Sequence, residues 1–330
     1  MVNLKKSSKN LKKEADDFNS IYKKRFHNLK SILINKDKRV EDYFIKNPWR
    51  YEFSRNYAFG GIIRDFKQFK KNRGSSLHIL DVGCGNGWFS LNANGDNRDY
   101  WDCIDISKEA IKTANKFKKE LKITKNEYHL KSLEDFSSNE EYDIVSCVHT
   151  LHHFTDLDVF YKKVRMYLKK EGMIFIQDVS PEQFSETNAG FVLLIKEILK
   201  LTDNIRFVPD SKALGLSARL QHTIYEWRNE TDNLAQSHHD HWHSSKRILA
   251  FLRKRFIEVF YKETGGMMMR LLGGLRGEMP RLERMAQQLI ALEKLLLDRK
   301  IIKPYGYTFI GKIKINHFRG DGHDRIQKNK

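Results

Sequence analysis

Apolar residues at Phe18, Ile21, Tyr22, Phe26, Leu29, Ile32 and Leu33 recur at steps of three and four, which predicts an amphipathic helix over about 15–34. Asn47-Pro48 separates it from a second helical stretch near 54–71, closed by Lys71-Asn72-Arg73-Gly74. From His78 the period changes. Short apolar runs at His78–Val82, Tyr100–Ile104, Glu127–Leu130, Tyr142–Cys147 and Met173–Gln177 alternate with helical stretches near 88–93, 107–122 and 156–169. A run of four to six apolar residues followed by a helix, repeated, is what a parallel sheet covered on both faces requires.

After Asp178 the alternation stops. Residues 181–247 open with an apolar helix, Phe191 to Leu201, and continue into a stretch rich in Asn, Asp and His. Strands return at Phe256–Tyr261 and Tyr307–Ile315, separated by a helix near 280–298 carrying Leu282, Met285, Leu289, Leu292, Leu295 and Leu296. Ser244-Ser245 reads as the cap of a helix from Lys246 to Arg255. The divisions expected are a basic helical region over 1–75, an α/β core over 76–180, an inserted helical cap over 181–247, the rest of the core sheet over 248–316 and a flexible basic tail over 317–330.

The formal net charge of +18 changes this picture less than its size suggests. Residues 1–40 carry +8 and residues 299–330 carry +7, so the 258 residues between them hold only +3. Basic ends fit solvated tails, and they also fit an anionic membrane surface, RNA or a phosphorylated ligand. No apolar run approaches the roughly 18–20 residues of a membrane-spanning helix. Met1 to Lys13 has neither the apolar stretch nor the small-residue site of a secretory signal. Cys84, Cys103 and Cys147 are widely spaced and odd in number, which predicts free buried thiols and a cytoplasmic setting.

The chemistry concentrates in Ile79-Leu80-Asp81-Val82-Gly83-Cys84-Gly85-Asn86-Gly87-Trp88-Phe89. A strand runs into three alternate glycines and then into a helix. Such a turn lets a ligand touch backbone, and the free N–H groups of the helix start favour a carboxylate or phosphate. The dinucleotide fingerprint G-x-G-x-x-G fails here, because position 88 is Trp88. Asp81, inside the strand, would repel a pyrophosphate and welcome an ammonium group.

This run resembles the first motif of the class I S-adenosylmethionine-dependent methyltransferases, and four further segments agree in order. Asp105 stands at the end of the second strand, 22 residues after Gly83, where the family holds the ribose hydroxyls. Leu130 to Asp135 resembles the turn beside the adenine, Tyr142 to Phe154 the fourth strand and its loop, and Leu168 to Ile176 the fifth strand. The resemblance implies a Rossmann-like seven-stranded, mostly parallel sheet with an antiparallel last strand, N-terminal helices and a helical cap insertion. It implies S-adenosyl-L-methionine as cofactor, held by Asp81, Gly83, Cys84, Gly85, Asn86, Asp105, Ile106, Ser132, Leu133 and Val148. Catalysis would be direct in-line methyl transfer, with His149 or His153 as a base if one is needed.

Substrate contacts are expected from the cap, at His222, Tyr225, Trp227 and His241. Ser237 to His243 holds four histidines, and His239 and His243 would share a helix face, yet the companions of a metal site are missing, so no metal is expected. Gly265 to Gly277 reads either as an adaptable methionine-rich lid or membrane-touching loop, or as a buried helix. The proline motif of N-methyladenine enzymes, an activated cysteine and the paired-glutamate loop of arginine methyltransferases are all absent at their places. A small-molecule or lipid-like acceptor is therefore expected. RNA methylation through the basic termini and a non-catalytic binding module are the alternatives, and oligomeric state is left open.

Overall fold

A computed structural model describes residues 2–26, 39–40, 52–71, 73–74, 76–202, 215–229, 243–265 and 267–314. Seven strands form one sheet: β1 (His78–Val82), β2 (Tyr100–Asp105), β3 (Asn126–Leu130), β4 (Tyr142–Val148), β5 (Leu168–Val179), β6 (Phe256–Thr264) and β7 (Gly306–Ile313). Their order is β3-β2-β1-β4-β5-β7-β6. The pairs from β3 through β5 are parallel, whereas β7 is antiparallel to both β5 and β6. The sheet is therefore the expected one, with the last strand of the chain reversed. Arg39–Val40 also pairs antiparallel with Gly277–Glu278.

Helices cover both faces. On one side α2 (Glu52–Lys70), α3 (Trp88–Ala93) and α4 (Lys108–Glu120) close a core of Phe66, Phe89, Trp101, Cys103, Phe117 and Phe175. Its rings interlock, with Phe89 stacked on Phe175 at 5.7 Å and Phe66 edge-on to Phe175 at 5.1 Å. On the other side α5 (Leu157–Tyr167) and α8 (Ser245–Arg255) cover Leu80, Val82, Cys147, Ile176, Tyr307 and Phe309. Helices begin where short polar residues cap them: Ser107 accepts from the Ala110 N–H, and Ser244 accepts from the Arg247 N–H as the sequence predicts.

A third core lies beyond the carboxyl edge of the sheet. It joins α6 (Glu186–Lys200) and α7 (Leu216–Asn229), which follow β5, to α9 (Met267–Gly273) and α10 (Met279–Asp298), which lie between β6 and β7. Phe184, Val192, Trp227, Met268, Leu272, Leu282 and Leu296 are all buried there, and Phe53 and Tyr57 of α2 pack against them. The helical layer is thus built from two insertions rather than from 181–247 alone. The methionine-rich segment is one of its buried helices, with Met267 and Met268 at 1% and 0% exposure. Both insertions leave the sheet at one edge, where β5 and β6 end; the second rejoins it there through the reversed β7, and α8 carries the chain from the first back to the start of β6 at the opposite edge.

The first helix, α1 (Val2–Phe26), starts earlier than its apolar stripe suggests, and residues 27–34 of the expected helix lie outside the described residues. Lysine is a good helix former, so a polar run extends the helix toward the N-terminus without an apolar face. Among the described residues no helix is long and apolar enough to cross a membrane.

Candidate functional site

The glycine turn owes its shape to three left-handed residues, with φ of +70° at Gly83, +56° at Gly85 and +76° at Gly87. At Gly83 nothing larger fits, because an added Cβ would come 2.1 Å from the Thr150 methyl. Thr150 is fixed in turn by donating to the Gly83 carbonyl at 3.1 Å. The turn is tied to β2 by N–H groups of Gly83 and Cys84 that donate to the Ile104 carbonyl, at 2.9 and 3.0 Å. Asp105 completes the cradle: one carboxylate oxygen accepts from the Gly85 N–H at 2.8 Å and the other from the Ser107 N–H at 2.7 Å.

Asp81 is 1% exposed. Its Oδ1 accepts from the Ser146 hydroxyl at 2.8 Å, and its Oδ2 has no partner. Burial pushes the carboxyl up to about 7; the Ser146 hydrogen bond opposes this and the nearby Asp105 adds to it. Burial also raises Asp105, against the pull of the Ser107 and Gly85 N–H groups. A half-bonded buried carboxylate beside a glycine cradle is a costly arrangement that a bound cation relieves.

Val148 ends β4, and His149 follows it in the left-handed region at φ +55°. The His149 N–H donates to the Gln177 carbonyl at 2.7 Å, and the ring lies 6.3 Å from Trp88 at the start of α3. His152 is buried, and its Nδ1 is 2.5 Å from Asp178 Oδ1. Against the pull of burial, this imidazole holds Asp178 below the usual carboxylate range. The His153 ring lies 3.9 Å from that of His152, tilted by 44°, with Phe18 of α1 edge-on at 5.8 Å. Leu133 is buried after β3, and the Ser132 hydroxyl donates to Asp135 at 2.8 Å.

The structure therefore brings Asp81, Gly83, Cys84, Gly85, Asn86, Asp105, Ile106, Val148, His149 and His153 to the carboxyl edge of β1, β2 and β4, with Ser132 and Leu133 after β3 beside them. The candidate substrate residues stand apart, on α7. Tyr225 is 61% exposed, and His222 faces Glu226 at 3.5 Å on the helix surface. Trp227 is buried in the cap, stacked on Phe184 at 4.5 Å. His241 lies outside the described residues with the rest of 230–242. His243 is buried, and its N–H donates to the His152 carbonyl at 3.2 Å. Among the described residues no group of three His, Cys, Asp or Glu side chains could hold a metal ion. The three cysteines are free and buried, and burial raises the Cys147 thiol well above its ordinary value, away from a nucleophilic thiolate.

Sequence reasoning missed the cover over the cradle. The Tyr22 hydroxyl lies where a Cβ on Gly85 would come within 2.5 Å of it. Three residues earlier, Asn19 Oδ1 accepts from the Ser107 hydroxyl at 2.9 Å and from the Glu109 N–H at 3.1 Å, docking α1 on the start of α4. Nothing in the pattern of 15–26 announces these partners, which for Asn19 lie 88 and 90 residues away. Ser146 was legible only through strand register, which sets it opposite Asp81.

A family model described as "Methyltransferase domain" matches residues 73–242, just over half of the chain. Among curated proteins, the chain is 30% identical over 136 residues to a ubiquinone biosynthesis O-methyltransferase of Rickettsia akari (strain Hartford), covering 41% of this chain and 49% of that protein. One of Pelagibacter ubique is also 30% identical over 136 residues, covering 39% and 52%. The alignments thus span about half the length of these relatives. Among solved structures, a magnesium protoporphyrin IX methyltransferase from Synechocystis PCC 6803 with bound SAH is 12% identical over 92% of this chain and 98% of that one, with a TM-score of 0.48. A plantazolicin methyltransferase in complex with SAH is 16% identical over 95% and 100%, with a TM-score of 0.43.

Proposed function

The chain belongs to the methyltransferase-domain family, and from that premise we propose that it transfers a methyl group from S-adenosyl-L-methionine to an oxygen of a small or lipid-like molecule in the cytoplasm. The observation that carries this is the buried, half-bonded Asp81 beside the three-glycine turn. The free Oδ2 fits the ammonium of the methionine moiety, and the glycines leave the backbone open to its carboxylate. Asp105 offers two oxygens to the ribose diol, Ile106 and Leu133 would flank the adenine, and Ser132 stands at its rim. When bound, the cofactor supplies a methyl on a positively charged sulfur, which is displaced in line by the acceptor atom.

The chain's own residues then have three tasks. Cys84, Asn86 and Val148 shape the cradle, and α1 covers it through Phe18 and Tyr22. The helical layer at the carboxyl edge excludes water and supplies an apolar wall. His149, beside Trp88 at the end of β4, is placed to take the proton of an acceptor hydroxyl, with His153 as the alternative. Oxygen is favoured as the acceptor because the curated relatives bear the name of O-methyltransferases.

Calorimetry with S-adenosylhomocysteine and NAD tests the reading. The sulfur compound is expected to bind and NAD is not. Binding of NAD without a response to the sulfur compound overturns the proposal.

A further inference from the structure

Phe18, Asn19, Tyr22 and Phe26 recur at helical spacing and share one face of α1. That face meets the rest of the chain at both sides of the glycine turn. Phe26 is edge-on to Phe117 of α4 at 5.8 Å, Tyr22 lies parallel to Phe26 at 6.0 Å, and Phe18 is edge-on to His153 at 5.8 Å. The helix therefore bridges from α4, across the turn, to the loop after β4. Its other face stays in water, with Lys12, Lys13, Asp16, Lys23 and Lys24 exposed.

A hydrogen-bonded circuit ties this helix to the cradle. Asn19 Oδ1 accepts from the Ser107 hydroxyl, the Ser107 N–H donates to Asp105 Oδ1, and Asp105 Oδ2 accepts from the Gly85 N–H. Tyr22, one helical turn on from Asn19, closes the circuit, because a Cβ on Gly85 would meet its hydroxyl at 2.5 Å. The donors available to an incoming carboxylate are few. The N–H groups of Gly83 and Cys84 go to the Ile104 carbonyl, that of Gly85 to Asp105 and that of Gly87 to the Cys84 carbonyl, which leaves the Asn86 N–H for a ligand. Among the described residues placed at the cradle none is Lys or Arg, and two, Asp81 and Asp105, are buried acids. A carboxylate has about four lone-pair sites to satisfy. The Tyr22 hydroxyl is the side-chain donor that lies over the turn.

We infer that Tyr22 is a cofactor-binding residue, its hydroxyl donating to the carboxylate of the methionine moiety, and that α1 is a lid which this bond holds shut. The assignment rests on the methyl-transfer reading above. A hydrogen bond from O–H to a carboxylate is charge-assisted and stronger than one between neutral groups. The lid must also open to admit the cofactor. Phe18, Asn19, Tyr22 and Phe26 are each only half-buried, and an element held by few buried apolar groups opens locally at small cost. The bound carboxylate then favours the closed position, since only that position presents the hydroxyl to it. Tyr22 retains the methyl donor in this scheme and exchanges no proton.

The test compares two ligands that differ in one group: S-adenosylmethionine and its decarboxylated form, which keeps the amine and the sulfonium. Calorimetry on the full chain carrying Tyr22→Phe should show S-adenosylmethionine bound about tenfold more weakly than by wild type. The decarboxylated form should bind wild type and variant within about twofold, which also shows that the variant is folded. Hydrogen exchange gives a second readout, decisive where the decarboxylated form binds too weakly for calorimetry. S-adenosylmethionine should slow exchange over 2–26 in wild type, and it should do so far less in the variant. Unchanged affinity for S-adenosylmethionine, equal losses for both ligands (the mark of a packing role), equal protection of 2–26 in the variant, or tighter binding by the variant (the mark of a hydroxyl that obstructs the cradle) overturns the inference. Failure of wild type to bind S-adenosylmethionine overturns the methyl-transfer reading instead.

Discussion

Asp81 is the residue at which structure and chemistry are most tightly coupled. Its native carboxyl titrates near 7, raised first by burial, whereas in the unfolded chain it returns to its ordinary value of 3.8. The native state therefore holds a proton that the unfolded state has lost, and ligand-free stability falls as pH rises from about 4 to about 7. Asp81→Asn should flatten that slope in urea denaturation followed across this range. Cofactor binding has the opposite sign. An ammonium group needs the ionised carboxylate, so affinity for S-adenosylhomocysteine should rise from pH 6 to pH 8 and level off above the native value. The Asn variant should bind weakly and without that rise in calorimetry. Asp105→Ala tests the ribose end: the loss of charged hydrogen bonds is expected to cost about 1–3 kcal/mol of cofactor affinity. An unchanged dissociation constant in a folded variant would remove Asp105 from the site.

Among the elements, the β1–α3 turn and α1 carry separable roles. Gly83→Ala meets both an unfavourable left-handed φ and the Thr150 methyl 2.1 Å away. A loss of about 1–3 kcal/mol in stability follows from the backbone alone, with the clash added. Thr150→Ala should relieve the closest part of the clash, leaving its own Cβ at 2.8 Å and the φ cost, so a double-mutant cycle in urea should give a coupling energy above zero. For α1, Asn19 acts as an outside cap on α4, accepting from Ser107 and Glu109. Asn19→Ala should cost about 1 kcal/mol, the usual scale of a lost cap. It should also speed hydrogen exchange over 2–26 while the sheet amides stay protected. Equal protection of α1 in the variant would show that its docking does not depend on Asn19.

At the scale of the whole molecule, the cap is a separate hydrophobic core seated on one edge of the sheet. Trp227 stacks on Phe184 and lies edge-on to Tyr305 at 5.7 Å, tying α7 to both insertions. Trp227→Ala should cost about 3–5 kcal/mol of stability. Because the cradle belongs to the sheet, S-adenosylhomocysteine affinity of the folded protein should stay within about twofold; calorimetry beside a denaturation curve checks both. Period and motif order made the sheet legible. Short apolar runs at His78–Val82, Tyr100–Ile104 and Tyr142–Cys147 could bury only as central strands, and the glycines at 83, 85 and 87 could serve only a left-handed turn. Local physics also determined the Ser244 cap and the two acids at strand ends. The partners of amphipathic surfaces were not legible. The stripe of α10 announces a buried face but not that it packs with α6 and α7 in the cap, and the methionines at 267–268 leave both lid and core open, core being the plainer reading. Tyr22 over Gly85 and Asn19 on α4 depend on residues tens of positions apart. A one-dimensional pattern fixes which groups must leave water; only the folded chain decides what they meet, because side-chain contact is set by crossing elements and strand register.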